Sequence, residues 1–495
     1  MKVSVFGDLN KYYVQTLCMV FFPGVKFSDE DDDDGLEISV KIKEDEEGAE
    51  AEAVLRHFDQ ITMATRRESF KPEFTRERTL KIAVGAAVIA AAGDLVGYRP
   101  SWGMLTGVRP SKVATEMLRK GYSKTRVKKL LASEYFVIPK KASLATEVAL
   151  NEAAIIGEPD PLGCSLYVSI PFCPTRCAYC SFVSYTSQRL LSLIPEYIER
   201  VCTDVRETLK TINELGLHLK TVYIGGGTPT ILDPNQLRKL LSTICEGTDV
   251  SLLEEFTLES GRPDTITAEK FAVAKEYSVD RVCVNPQSLC DEVLANIGRE
   301  HTSGEFFRAY DIARGSGIKY INTDLIVGLP GDNFRTFSAT YDKILQLRPD
   351  NITVHTFCVK KSSDILRRGS EVYSLRGGDA GKCVDYSQIK SVQAGYKPYY
   401  MYRQKNTVGN FENVGFALEG AEGRYNIYMM EEIHSIFAVG AGAVSKMVKY
   451  PSAAGEKPVI RRLFNQKYPY EYLREDRSAS LCDSYREFYR EYYNK

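Results

Sequence analysis

The sequence predicts an α/β protein: a partial (β/α)6 barrel of the TIM type, preceded by a mainly helical N-terminal extension and followed by a smaller C-terminal accessory domain. Three observations predict it. From Ser165 to His355 short β-rich runs alternate with longer helical patterns, and such alternation builds a parallel sheet with helices outside it. Residues 1–160 differ in character, with an acidic run followed by helical pattern. Past Phe357 the alternation stops, and tyrosine clusters and glycine-rich turns replace it.

In chain order, the first feature is acidic. Between Asp29 and Glu52 stand thirteen acidic side chains and two lysines, and the run Asp29–Asp34 reads as a solvated loop. Helical pattern then covers Phe74 to Glu158, broken at Pro100, Pro110 and Pro139. Pro159-Asp160-Pro161-Leu162-Gly163 is a linker, because each proline disfavours helix at the residue before it. The expected strands are Leu166–Ile170, Thr221–Ile224, Phe256–Glu259, Arg281–Val284, Tyr320–Ile326 and Asn351–His355. Between them lie helical candidates near Leu190–Thr211, Pro234–Cys245, Ala268–Tyr277, Gly304–Gly315 and Phe334–Leu347. The expected domains are therefore 1–160, 165–356 and 357–495, the last a cap closing one side of the barrel.

Composition narrows the class. The 495 residues are 44% hydrophobic and 26% charged, which excludes a disordered or fibrous chain. A net charge of −1 provides no overall basic field for nucleic acid. The most apolar stretch, Ile82–Ala92, is Ala-rich, short and interrupted at Gly93-Asp94, so it reads as a buried helix and no membrane span is expected. The N-terminus lacks the apolar core and small-residue cleavage site of a secretory signal, and a cytoplasmic address is expected. Twelve cysteines are too sparse for a disulfide scaffold. Nine are scattered singly and read as small buried hydrophobes; Cys173, Cys177 and Cys180 fall within eight residues.

Ligands of parallel α/β sheets gather at the C-terminal ends of strands, and each expected strand ends in something reactive or unusual. Cys173, Cys177 and Cys180 follow the first, Gly225-Gly226-Gly227-Thr228-Pro229 the second. Glu259 ends the third, Asn285-Pro286-Gln287 follows the fourth, Asp324 lies in the fifth and His355 ends the sixth. Three thiolates spaced x3 then x2 can converge on one inorganic centre. A structural zinc wants a fourth ligand, and a dithiol motif would not need Cys173. A four-iron cluster with three protein ligands leaves one iron open for a small molecule. The glycine run permits close backbone approach by a ligand, or is a tight turn. The segment Tyr396–Lys405 interleaves tyrosines with Arg403 and Lys405; it suits an amphipathic, polyanionic substrate, or is a strand whose tyrosines alternate between core and solvent.

The motifs CxxxCxYC after YVSIPF, then GGGTPT, resemble those of radical S-adenosylmethionine (SAM) enzymes. Three further stretches, RVCVNPQSL from Arg281, IGREH from Ile297 and NTDLIVGLPG from Asn322, resemble the oxygen-independent coproporphyrinogen III oxidase group. Leu105–Pro110, Tyr402–Lys405 and Gly415–Glu422 are similar to its HemZ-like branch. The resemblance covers about Leu166 to Val444. It implies a radical SAM barrel in which Cys173, Cys177 and Cys180 ligate a [4Fe-4S] cluster. One or two S-adenosylmethionine molecules would be bound by Tyr167, Tyr179, Gly226, Gly227, Thr228, Glu259, Gln287, Arg299 and Asp324. It implies cleavage of that cofactor to a deoxyadenosyl radical, hydrogen abstraction from substrate propionates, and conversion of coproporphyrinogen III to protoporphyrinogen IX in heme biosynthesis. Tyr167, Arg403 and Lys405 are the candidates for catalysis and substrate contact. The implied partners are a tetrapyrrole and a reducing electron donor such as a flavodoxin or ferredoxin. Two positions depart from the better characterised members: Ser169 stands where they carry His, and Phe182 where they carry an extra Cys. A related group of heme carrier proteins also lacks that cysteine.

Overall fold

A computed structural model describes the chain except for residues 29–34, 73, 108, 181, 183, 359–377, 405–406, 452–457 and 494–495. Its contacts divide the chain into two compact units rather than the three segments expected.

The first unit holds Met1–Asn151, with Met401–Asn413 and the described part of 371–384. It contains a sheet that the acidic composition hid: β1 (Lys2–Phe6), β2 (Leu36–Glu44), β3 (Gly48–His57) and β4 (Gln60–Ser69), in that order. β1 and β2 are parallel, joined through the helix Lys11–Phe21; the other pairs are antiparallel. β2 alternates Leu36, Ile38 and Val40, all buried, with more exposed polar neighbours, the period of a half-buried strand. The helix Arg76–Val96 covers β3 and β4. Its alanines and those of β3 (Ala49, Ala51, Ala53) are buried, and their small size lets helix and sheet approach closely. Thr75 caps its first turn and Gly97, at φ +63°, ends it in the left-handed region. By length and composition this helix could cross a membrane, but 72% of its apolar window is buried inside the protein. The helices Ser111–Arg119, Lys124–Ser133 and Pro139–Ile156 follow, broken near the prolines as expected.

The second unit is the barrel. All six expected strands are present and parallel: β5 (Gly163–Ile170), β6 (His218–Gly226), β7 (Glu255–Leu258), β8 (Arg281–Cys283), β9 (Tyr320–Val327) and β10 (Asn351–Thr356). The expected helices run between them, at Ile194–Glu214, Pro234–Gly247, Ala268–Glu276, Ser303–Gly315 and Phe334–Leu347, with the shorter Gln188–Leu191 and Asp291–Asn296 added among the described residues. Capping boxes at Asp233/Gln236, Thr302/Glu305 and Asn333/Thr336 set the starts of three. The segment past Phe357 is not a separate cap. Its strands β11 (Lys397–Arg403), β12 (Glu412–Ala417), β13 (Ser435–Val439), β14 (Val444–Lys449) and β15 (Val459–Phe464) extend the barrel sheet at both edges, in the order β11-β12-β10-β9-β8-β7-β6-β5-β13-β14-β15. β13 pairs parallel with β5, so the first barrel strand has a neighbour on each side.

Candidate active site

The cysteine loop begins where β5 ends and is tied down along its length. Cys173 N–H donates to Tyr185 O at 3.1 Å, Thr228 N–H to Phe172 O at 2.8 Å, and Ala178 N–H to Ile297 O at 2.9 Å. Arg262 reaches in from the β7 side: its Nη1 donates to Thr175 Oγ1 at 2.7 Å and Thr175 O at 3.1 Å, while Asp264 holds its other edge at 3.0 and 2.8 Å. Cys173 is buried, its Sγ 3.3 Å from Thr228 Oγ1. Burial pushes the Cys173 thiol up to about 11, and the neighbouring Cys180 and Cys177 push the same way. Burial raises Cys180 as well. All three cysteines are free.

Such mutually repelling thiols under a guanidinium suit a positive inorganic centre, which holds its cysteines as thiolates. Among the described residues no three His, Cys, Asp or Glu side chains are already drawn together as they would be around a metal ion. Three thiols carried by one short loop are the donor set that would suit an iron–sulfur cluster with one iron left open.

The glycine run packs directly on this loop. A Cβ on Gly227 would stand 2.5 Å from Phe172 O and 2.9 Å from Cys173 Sγ. Gly226 adopts φ +107°, closed to other residues, and its Cβ would meet Ile170 N at 2.9 Å. The loop and the glycines therefore form one lip at the C-terminal ends of β5 and β6.

The other strands contribute a connected polar row from positions within and just beyond them. Tyr223 O–H donates to Glu259 Oε2 at 2.6 Å. Asn285 Nδ2 donates to Glu259 Oε1 at 3.0 Å and to Asp324 Oδ2 at 3.1 Å. His355 Nε2 lies 3.5 Å from Asp324 Oδ2. Burial, then the Asp324 charge, raises the Glu259 carboxyl. Arg299 donates from Nη1 to Tyr179 Oη at 3.2 Å and from Nη2 to Gly261 O at 2.9 Å. Its buried Nε has no hydrogen-bond partner, nor does buried Gln287 Oε1, whose residue sits at φ +66°. Buried groups normally find partners, so one free donor and one free acceptor beside two carboxylates describe a cradle for a polar, zwitterionic molecule.

Of the residues singled out in the sequence, the three cysteines, Tyr179, Gly226, Gly227, Thr228, Glu259, Gln287 and Arg299 lie at or beyond the C-terminal ends of the barrel strands, while Tyr167 and Asp324 lie within β5 and β9. Arg403 is not free to bind a substrate. It is buried in the first unit, where it donates to Leu105 O and lies 5.8 Å from the Trp102 ring centroid. β11 is buried along most of its length, Arg403 included, and burial lowers the guanidinium to about 10. Lys405 lies outside the described residues. Sequence reasoning missed Tyr223, Tyr425, Asn285 as the bridge between carboxylates, and Arg262. For Asn285 and Arg262 a position just beyond a strand end was the available signal; Tyr223, inside β6, and Tyr425, on a helix, carried none.

The radical SAM superfamily profile matches residues 167–344. A Bacillus subtilis protein named oxygen-independent coproporphyrinogen-III oxidase-like protein HemZ is 35% identical over 388 residues, 77% of this chain and 77% of its own. The heme chaperone HemW of Lactococcus lactis is 30% identical over 282 residues, 56% of this chain and 68% of its own. Among solved structures, coproporphyrinogen III oxidase (HemN) from Escherichia coli, a radical SAM enzyme, is 19% identical with a TM-score of 0.49, over 68% of this chain and 73% of that one. The chain belongs to the oxygen-independent coproporphyrinogen III oxidase-like family of radical SAM proteins.

Proposed function

We propose that the chain is a radical SAM oxidoreductase that decarboxylates two propionates of coproporphyrinogen III without oxygen, giving protoporphyrinogen IX in heme biosynthesis. The observation that carries it is the three-thiol loop packed on the glycine lip, together with the Glu259–Asn285–Asp324 row of the other strands. Cys173, Cys177 and Cys180 would hold a [4Fe-4S] cluster, and the lip and the row would hold S-adenosylmethionine. Bound there, the cluster and S-adenosylmethionine would together supply the one-electron, hydrogen-abstracting chemistry that a propionate side chain needs.

The chain's own groups bind and orient. Arg299, whose buried Nε has no partner, would take the cofactor carboxylate. Glu259 and Asp324 accept hydrogen bonds from its ammonium or ribose hydroxyls, and Asn285 fixes the spacing between them. Gln287 Oε1 accepts a further donor. Arg262 holds the cysteine loop in place. A tetrapyrrole and a low-potential one-electron donor, such as a flavodoxin or ferredoxin, would be the partners, in a reducing cytoplasmic compartment that keeps the cysteines free.

The similarity to HemW favours a second reading, a heme carrier that keeps the cluster without decarboxylation. Anaerobically reconstituted protein, supplied with reductant, S-adenosylmethionine and coproporphyrinogen III, separates the two. Deoxyadenosine together with vinyl product is expected. Stoichiometric heme binding with no turnover would overturn the decarboxylase reading in favour of the carrier.

A further inference from the structure

Beneath the glycine run the barrel interior holds three stacked phenols. Tyr167 and Tyr223 are register partners on β5 and β6, with ring centroids 6.2 Å apart and planes at 20°. Tyr425, from the helix Arg424–Glu431, stacks on Tyr223 at 4.6 Å and 25°, and on Tyr167 at 6.3 Å and 17°. Gly225 makes room for them: a Cβ there would stand 2.8 Å from Tyr223 Cε1 and 3.2 Å from Tyr167 Cε2. Tyr425 is buried, while Tyr167 and Tyr223 keep part of their surface open. The Tyr223 hydroxyl is bonded to Glu259, a carboxylate of the polar row. Burial raises all three phenols, so each retains its hydrogen near neutrality.

We propose that this stack is a radical sink, in which Tyr223 surrenders a hydrogen atom to the cofactor-derived carbon radical when no substrate is in place. The inference rests on the radical chemistry proposed above. The step balances. The Tyr223 O–H bond breaks homolytically, the hydrogen atom completes the C5′–H bond of deoxyadenosine, and an oxygen-centred radical remains on Tyr223. A phenolic O–H bond is weaker than the C–H bond formed, so transfer is downhill. Tyr425 and Tyr167 offer the unpaired electron neighbouring rings at 4.6 and 6.2 Å. One electron from the donor that reduces the cluster, and one proton returned through Glu259, restore the phenol. Without such a sink, a radical released in an empty site would attack the surrounding protein.

The test uses iron-loaded holoenzyme in deuterium oxide, with S-adenosylmethionine and dithionite and no tetrapyrrole. The phenolic hydrogen exchanges with solvent. The unaltered enzyme is expected to release deoxyadenosine carrying one deuterium, read by mass spectrometry. Freeze-quenched samples are expected to show an organic radical in electron paramagnetic resonance that narrows when the protein is made with ring-deuterated tyrosine. Tyr223→Phe is expected to lose both signals. Retained deuterium in that variant assigns the hydrogen to another group, such as the Cys283 thiol beside Glu259, and overturns the proposal. Undeuterated product from the unaltered enzyme, or no narrowing, overturns it without relying on the variant. No deoxyadenosine without tetrapyrrole overturns the sink alone, whereas no deoxyadenosine even with coproporphyrinogen III supplied overturns the radical reading, so the two failures are distinct.

Discussion

Arg262 gives the sharpest handle on the cysteine loop. It is 4% exposed and spends one edge on Thr175, between Cys173 and Cys177, and the other on Asp264. Hydrogen bonds from a charged donor are worth about 1.5–3 kcal/mol each, so the two Thr175 bonds hold the loop by about 3–6 kcal/mol. The loop keeps its ties to Tyr185 and Ile297, so only part of that loss reaches the thiols. Altering groups just outside a metal's ligands costs about 10–100-fold in affinity, about 1.4–2.7 kcal/mol, which sits below the gross figure as it should. Arg262→Met is therefore expected to lose its cluster about 10–100-fold faster to a chelator than the unaltered protein. Asp264→Asn in the same chain removes the stranded carboxylate without rescuing the loop. Arg262→Lys can pair with Asp264 but cannot span to Thr175, and should fall between. Iron and sulfide content, followed against time with chelator, is the assay. Cluster retention in Arg262→Met indistinguishable from the unaltered protein would refute the idea that this guanidinium presets the loop.

Cys177→Ala is expected to abolish the cluster and all cofactor cleavage while the circular dichroism stays that of the folded protein; any retained cleavage contradicts the ligand assignment. Gly227→Ala pushes a methyl against Phe172 O and Cys173 Sγ, and should cost about 1–3 kcal/mol with loss of cofactor binding, checked by thermal melting and equilibrium dialysis. In the first unit, buried Glu412 accepts from Lys141 at 2.5 Å and from Trp102 Nε1 at 2.7 Å. Lys141→Met or Glu412→Leu alone should cost about 3–5 kcal/mol in urea unfolding, and the double variant should recover most of it. Burial, then nearby Arg299, lowers His301 to about 4, and burial lowers His434 to about 3. Both are neutral in the native state and gain protons on unfolding, so stability falls as pH drops from about 6.5 towards 4, by up to about 3 kcal/mol for His301. Melts at pH 5 and pH 7 should show this, and His301→Gln should reduce the difference.

The chemistry-bearing ends of the barrel strands were legible because cysteine, glycine and acid positions there answer to local rules of spacing and backbone space. Much of the first sheet was not. Thirteen acidic side chains between Asp29 and Glu52 drew attention from the alternation Leu36, Ile38, Val40, and β3 buries alanines, which carry little strand signal. The tail past Phe357 looked separate because its strands return to the sheet from far along the chain, β13 lying beside β5. Arg403 misled for a different reason. A guanidinium beside tyrosines has the same sequence signature whether it faces a substrate or, as here, the Trp102 ring and a backbone carbonyl. Tyr223 and Tyr425 stack although 202 positions apart, a meeting that only tertiary structure reveals.

The flanking of β5 by β6 and β13 has a mechanical consequence. A ribbon bonded along both margins opens last when a sheet breathes, so the amides of β5 should be among the slowest in the chain to exchange with solvent. Insertions or losses at the β15 margin can then be absorbed three strands away from the cysteines. Evolution, or a protein engineer, can rework that outer margin while the base of the cysteine loop stays still.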